Sequence, residues 1–354
     1  MKLCIVGPAN SAHIVKWCKW FSGHGHEVSV ISFTPGEIEN TRVYSLDVEV
    51  DTEGSDLGKL KYMLTGRKIR SLLKEISPDA VSVHYATSYG VAMALSGVKG
   101  YALSVWGTDI YDFPKKSPLH KALLEFSLRR PAVLLSTSRA MAEEAANYTK
   151  RRFVITPFGV DMELFRPEAA ERRTDCFTVG TVKSLSDIYG IRDILKAAAI
   201  LKKKGEIPLR VRIAGDGPQA EEYKALAKEL EIDDITTFLG VISQEQAAVE
   251  WASMDVALIP SERESFGVSA VEAQACGTPV IISDAPGLME ATRPVMTSLV
   301  TRRNRPEKLA AAIEKLYHDD ELRIAMGKRG TVFVRKHYEW NHCFEKIERV
   351  FEKL

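Results

Sequence analysis

The sequence predicts an α/β chain built from two doubly wound, parallel-sheet units in tandem, and three observations carry that expectation. Short β-rich runs alternate with amphipathic helical stretches, as in parallel sheets flanked by helices. The second half restarts the pattern of the first: strand, glycine-containing loop, amphipathic helix, glycine punctuation, strand. With 354 residues, 45% of them hydrophobic and 27% charged, the chain holds enough apolar material for two cores.

In the first half, strands are expected at Leu3–Val6, Val28–Phe33, Ala80–His84, Leu103–Trp106 and Ala132–Ser136. Each is rich in β-branched or aliphatic residues, and helical patterns lie between most of them. A Pro- and charge-containing stretch around residues 154 to 175 reads as the junction. Beyond it, strands are expected at Phe177–Val182, Leu209–Gly215, Ile235–Gly240, Asp255–Pro260 and Pro279–Ser283. Two Rossmann-like units follow, and ligands of such sheets bind at the carboxyl ends of the strands, so the expected site is a cleft between the units.

Composition removes several alternatives. The formal net charge is +1, which gives no overall basic field, and nucleic acid is not an expected partner. Five scattered cysteines without a CxxC pair read as reduced cytosolic thiols. The opening MKLCIVGPANS reads as a strand and turn, not a signal sequence, and no run approaches the ~20 apolar residues of a membrane span. A cytoplasmic location is expected.

The stretch SERESFGVSAVEAQACGTPVIISD, from Ser261 to Asp284, carries the chemistry. DVALIP before it is a strand, SERESFG is the loop at its carboxyl end, and VSAVEAQACG is a helix with Val268, Val271 and Ala275 on one face. The amides of Phe266, Gly267 and Val268 at the start of that helix make an anion site. Glu264 stands just before it and Glu272 lies inside it, suited to accept hydrogen bonds from two sugar rings on either side of a diphosphate. The alternative is that both glutamates are solvated helix-end charges.

This stretch resembles the E-x7-E signature of glycosyltransferase family 4, retaining enzymes of the GT-B fold: Glu264, Phe266-Gly267, Glu272, Ala273, Ala275, Gly277, Pro279 and Val280 match its usual form. FGVDMELF (158–165) is similar to the family's interdomain segment, RIAGDGP (212–218) to its second-domain strand and turn, and FLGVIS (238–243) to the loop near the nucleotide base. GHEVSVIS after GPANSAH resembles its N-terminal unit, and HYEWNHCFEKIERVFEKL its terminal helix. The resemblance implies an acceptor-side domain over 1–165, a nucleotide-sugar domain over 166–337, and a terminal helix over 338–354 that crosses back to the first. It also implies that Glu264 reads the transferred sugar and Glu272 the ribose.

Two departures from the family pattern stand out. The family usually places Arg and then Lys-Gly in the first loop of the second domain, both on the diphosphate. Here the loop is GTVKSLSDIYG, with Tyr189 at the lysine position and Ser184 at the arginine position. Lys183 is the candidate phosphate ligand, unless it is a solvated loop lysine whose side chain the strand alternation turns away. In the first domain, His-Gly-Thr-Asp is replaced by Trp106-Gly107-Thr108-Asp109. Trp106 cannot shuttle a proton. Asp109 is a candidate for orienting substrate hydroxyls, or else a cap of the following turn. His13 is a candidate contact to donor phosphate or acceptor, Gly7 a candidate close approach of backbone to donor, and His84 a weaker acceptor contact.

The resemblance implies transfer of a hexose from a UDP- or GDP-sugar with retention of configuration. No Asp-x-Asp motif is present, so no metal and no cofactor are expected. Rival readings are a non-hydrolysing sugar-nucleotide epimerase and a non-catalytic nucleotide-sugar-binding protein. A dehydrogenase is disfavoured because GPANSAH lacks GxGxxG. The acceptor is expected to be a glycan, a glycolipid or a lipid-linked molecule. The segment Leu57 to Ser77 offers an apolar stripe (Leu60, Leu64, Ile69, Leu72, Leu73, Ile76) and a basic face (Lys59, Lys61, Arg67, Lys68, Arg70, Lys74), which Lys115, Lys116, Arg129 and Arg130 can extend. It reads as an ordinary packed helix or as a peripheral contact with anionic lipid at the inner membrane face.

Overall fold

The computed structural model describes residues 1–48, 64–172 and 175–354. They divide into two compact units, Met1–Phe158 with Cys343–Leu354, and Gly159–His342. The boundary expected from sequence is 165/166.

Unit 1 is a seven-stranded sheet in the order β3-β2-β1-β4-β5-β6-β7. Its strands are β1 (Lys2–Val6), β2 (Glu27–Ser32), β3 (Thr41–Ser45), β4 (Ala80–His84), β5 (Ala102–Val105), β6 (Val133–Ser136) and β7 (Phe153–Ile155), and every pairing is parallel. The central strands β1, β4 and β5 are almost wholly buried, which is why they read as continuous apolar runs rather than alternating ones. Helix Ala12–Gly23 offers Trp17, Trp20 and Phe21 to the terminal segment, where Phe344 stacks on Trp20 with centroids 5.2 Å apart and meets Trp17 edge-on at 5.8 Å. His26 Nε2 lies 2.8 Å from Glu348 Oε1. This aromatic packing makes the chain end part of the first unit's core.

Unit 2 is a six-stranded sheet in the order β10-β9-β8-β11-β12-β13, again all parallel. Its strands are β8 (Phe177–Val182), β9 (Leu209–Ala214), β10 (Thr236–Gly240), β11 (Val256–Ile259), β12 (Val280–Ser283) and β13 (Ser298–Thr301). The core is aliphatic, with Ile191, Ile194, Leu195 and Leu201 from helix Ile191–Lys204 packed on Val179, Val211 and Ile213 of the sheet.

Both sheets reverse strand order once, between β1 and β4 in unit 1 and between β8 and β11 in unit 2. Loops leaving the carboxyl ends of strands at such a reversal diverge, and ligands of open α/β sheets enter there. Gly7, His13 and His84 belong to the first reversal; Lys183, Glu264 and the start of helix Val268–Ala275 belong to the second.

Candidate functional site

In unit 2 the loop after β8 is held by backbone. The Lys183 amide donates to Ala214 O at 2.9 Å, continuing the ladder one residue past the strand, and the Leu185 amide donates to Asp216 O at 2.9 Å. Its far end is fixed to the loop after β11, where the Glu262 amide donates to Ile188 O at 2.8 Å. Gly190, at φ +70°, sits so close that an added Cβ would lie 2.4 Å from Pro260 O, and only glycine serves there.

The side chains of Lys183 and Glu264 meet between these loops. Lys183 Nζ forms an ion pair with Glu264 Oε1, the two side chains being 13% and 8% exposed. Ser261 Oγ donates to the same carboxylate oxygen at 3.2 Å. Lys183 Nζ also lies 4.4 Å from the centroid of the Tyr189 ring, within cation–π range. Burial works against charge on this lysine, but Glu264, Tyr189 and Glu272 outweigh it and raise its pKa above the ordinary value. The lysine therefore points into the site; the strand alternation ends at Val182 and does not turn it away.

Helix Val268–Ala275 starts beside this pair. Its cap is Gly267 at φ 97°, with no side-chain cap bond, and a Cβ there would lie 2.7 Å from Leu288 Cδ2. First-turn amides have no acceptor within a helix and carry the positive end of its dipole. Phe266 contributes only its backbone, because its ring is 1% exposed and packs edge-on against Tyr338. Glu272 is buried one turn into the helix and accepts from Trp251 Nε1 at 3.4 Å. The glutamates are thus not solvated helix-end charges. Arg303 braces the loop, donating to Glu262 O and to Asp284 Oδ1, both at 2.9 Å.

Unit 1 treats its candidates differently. Asp109 is 1% exposed, and its carboxylate accepts the amides of Ala86 at 2.9 Å, Trp106 at 3.1 Å and Gly107 at 2.7 Å. Burial raises its pKa while those amides oppose the shift. With three backbone amides on its carboxylate, Asp109 ties the loop after β4 to the loop after β5. The Gly7 amide donates to Ile31 O at 3.0 Å and so is engaged within the sheet; its missing Cβ makes room for Ile14 and His84.

His13 stacks on Phe158, with centroids 3.9 Å apart, and meets Trp106 edge-on at 5.5 Å. His84 is fully buried, with Nε2 3.0 Å from Ser82 Oγ, and burial together with His13 pushes its pKa down to about 3. It is a neutral packing residue. Trp106 completes this cluster, 5.2 Å from the His84 ring.

Sequence reasoning missed Tyr189 as the platform under Lys183, Trp251 as the donor to Glu272, and Arg303 as the brace. Only Tyr189 left a signal, as a departure from the expected Lys-Gly.

The decisive finding is that both halves of the chain match glycosyltransferase families. Residues 2–138 match the family described as glycosyl transferase 4-like, and residues 165–333 that described as glycosyl transferases group 1. The chain belongs to the family-4-like glycosyltransferases. Among curated proteins, this glycosyltransferase is similar to a D-inositol 3-phosphate glycosyltransferase of Pseudarthrobacter chlorophenolicus, 30% identical over 268 residues that cover 67% of the chain and 64% of that relative. Matches to relatives of this name span about half to two thirds of their length. Among solved structures, it is similar to sucrose-phosphate synthase from Thermosynechococcus elongatus, with a TM-score of 0.84 and 19% identity over 100% of this chain and 99% of that one. Anabaena HepE in complex with UDP and glucose gives a TM-score of 0.79 and 16% identity over 100% of both chains. These likenesses show that the glycosyltransferase has the GT-B fold.

Proposed function

We propose that this glycosyltransferase moves a hexosyl unit from a nucleoside diphosphate sugar to a hydroxyl of a glycan, glycolipid or lipid-linked acceptor, with retention of configuration and without a metal. The observation that carries the reading is the buried Lys183–Glu264 pair beside the first-turn amides of helix Val268–Ala275, at the strand-order reversal of unit 2. The likeness to HepE, whose structure is a complex with UDP and glucose, supports a donor of this class.

In this reading the amides of Phe266, Gly267 and Val268, with Lys183, hold the diphosphate and stabilise charge on the departing phosphate oxygen. Glu264 accepts hydroxyl hydrogens of the transferred sugar. Glu272, oriented by Trp251, accepts those of the ribose. The acceptor proton passes to the departing phosphate oxygen on the same face, which retains configuration and asks the protein for positioning and electrostatics. His13 of unit 1 contacts donor phosphate or acceptor. Among the described residues, one group of side chains converges as metal ligands can, Glu206, Glu314 and His318; it lies before β9, at the amino end of the sheet, and Lys204 already bonds Glu314 at 2.8 Å.

Incubation with UDP- and GDP-hexoses and a lipid-linked or simple glycoside acceptor tests the reading. Nucleoside diphosphate release, resistant to EDTA, with an NMR spectrum showing the donor's anomeric configuration in the product, is expected. Inverted product or strict dependence on added manganese would overturn the mechanism, and binding without release would point to a nucleotide-sugar-binding protein.

A peripheral contact with an anionic membrane, at the cytoplasmic face, belongs to the same proposal. Helix Gly66–Ile76 buries Ile69 and Leu73 and exposes Arg67, Lys68, Arg70 and Lys74. Leu64, placed in the apolar stripe from sequence, is 82% exposed, whereas Leu60, Lys59 and Lys61 lie outside the described residues. Lys115 and Arg129 do not extend the patch, because they pair with Glu144 and Glu125. No helix among the described residues is long and apolar enough to cross a membrane. Flotation with anionic vesicles at low salt should carry the protein, and charge reversal at Lys68 and Arg70 should release it.

A further inference from the structure

The ion pair at the donor site has a consequence for how sugar is selected. Lys183 and Ser261 both meet Glu264 at Oε1, so in the paired state that oxygen is taken and the ammonium is turned to the carboxylate; giving the whole carboxylate to sugar hydroxyls and the lysine to phosphate requires the pair to part. Both partners are nearly buried, and Ser261 and Tyr189 support the paired arrangement from either side.

We propose that Lys183 is a specificity-determining positioning residue shared between Glu264 and the donor diphosphate, so that arrival of the diphosphate releases Glu264 for the transferred sugar. This rests on the donor-site reading above. A free hexose meets a carboxylate whose Oε1 is already held by lysine and is bound more weakly. A nucleoside diphosphate sugar first draws the ammonium onto its phosphates, exchanging one charge-assisted contact for another, and the freed carboxylate then accepts hydroxyl hydrogens. Tyr189 keeps the lysine in place during the exchange, since its ring attracts the ammonium without supplying a competing charge. Sugar recognition and phosphate recognition become coupled, and by linkage each strengthens the other.

The test is calorimetric titration of UDP, GDP and inorganic pyrophosphate into the full chain. Glu264→Gln frees Lys183, so affinity for nucleoside diphosphate and for pyrophosphate should rise about tenfold, the scale of an ordinary coupling. The thermal shift on adding UDP should grow in parallel. In a Lys183→Met background the same change should give little or no gain. Glu264→Asp, which keeps the charge but draws the carboxylate back by one methylene, should show a smaller rise and serves if the glutamine variant does not fold. Unchanged or weaker anion binding in both Glu264 variants overturns the sharing, as does an equal gain with and without Lys183. If no nucleotide binds but pyrophosphate follows the expected pattern, the exchange stands and the nucleotide-donor reading falls.

Discussion

Asp109 and Glu264 are both buried carboxylates near a strand-order reversal, one in each unit, and their surroundings put them to opposite uses. Asp109 is enclosed by three backbone amides that cannot leave, and its carboxyl oxygens serve the loops Tyr85–Ala86 and Trp106–Gly107. Glu264 faces an ammonium on a flexible stem and one hydroxyl, partners that can move. A carboxylate held by backbone is part of the scaffold, whereas one held by a lysine side chain can exchange its partner for a ligand. Asp109 follows β5, one strand beyond its reversal, and Glu264 follows β11, at its own; what sets their uses apart is who donates.

The comparison breaks most directly at Glu264. Replacing it with Ala should lower kcat by about 10²- to 10³-fold, the scale of losing one group that acts in the transition state. Steady-state kinetics with the accepted donor would show the donor KM changing far less than kcat. A proportional rise in KM with kcat preserved would assign Glu264 to ground-state binding. Next in size is Asp109→Asn, which confronts three amides with a side chain that can accept from only part of them. Leaving buried donors unmet costs about 1–3 kcal/mol. Urea denaturation should show a loss at the upper end of that range, and added UDP should restore none of it beyond the shift it gives the wild type. A stable Asp109→Asn protein with lost activity would mean that the carboxylate touches substrate after all.

Glu272→Gln sharpens the contrast within unit 2. Its proposed contact is with the ribose, so nucleoside diphosphate binding should weaken by roughly 1–3 kcal/mol, the scale of a charge-assisted hydrogen bond. Turnover at saturating donor should be affected less than in Glu264→Ala. Unchanged affinity by calorimetry would remove Glu272 from the ribose role.

Much of this was legible in the sequence, and the illegible remainder has physical causes. The ten anticipated strands are present: nine are interior parallel strands, most of them buried on both faces and legible as apolar runs, and the edge strand β10 showed itself through its β-branched and aromatic residues. The strands that went unread, β3, β7 and β13, lie at sheet edges and are short or half-buried, as in Thr41–Ser45 with exposed Arg42. Glu264 and Glu272 stood out because charge is costly in an apolar stretch and their spacing matches a known signature. Lys183 was found, but its direction was not, since side-chain alternation is defined only within the strand that ends at Val182. Asp109 and Gly7 carry backbone engagements that the sequence did not show, for a shared reason. A residue type shows what a group can bind, while the backbone of Ala86, Gly107 and Ile31, distant in sequence or hidden in a turn, decides whether it is already bound.

The smallest expected effect concerns pH and again separates the two reversals. His84 is enclosed by Trp17, Trp106 and His13, with its pKa pushed from an ordinary 6.5 down to about 3. Between those values the unfolded chain binds a proton at this side chain and the native chain does not. Native stability therefore falls as the pH is lowered through that window, while above 6.5 this residue contributes no pH dependence. The slope from one such group is about 1.4 kcal/mol per pH unit. Carboxylates add their own acid dependence, so the measurement is a difference: denaturation at pH 7, 6 and 5 for wild type and for His84→Leu. The variant should show a shallower loss by roughly that slope across the lower interval, even if its stability at pH 7 is reduced by the lost Ser82 bond. Parallel curves would mean that His84 accepts a proton in the folded protein, and the aromatic cluster of unit 1 would then hold a charge of its own, as the Lys183–Glu264 pair does in unit 2.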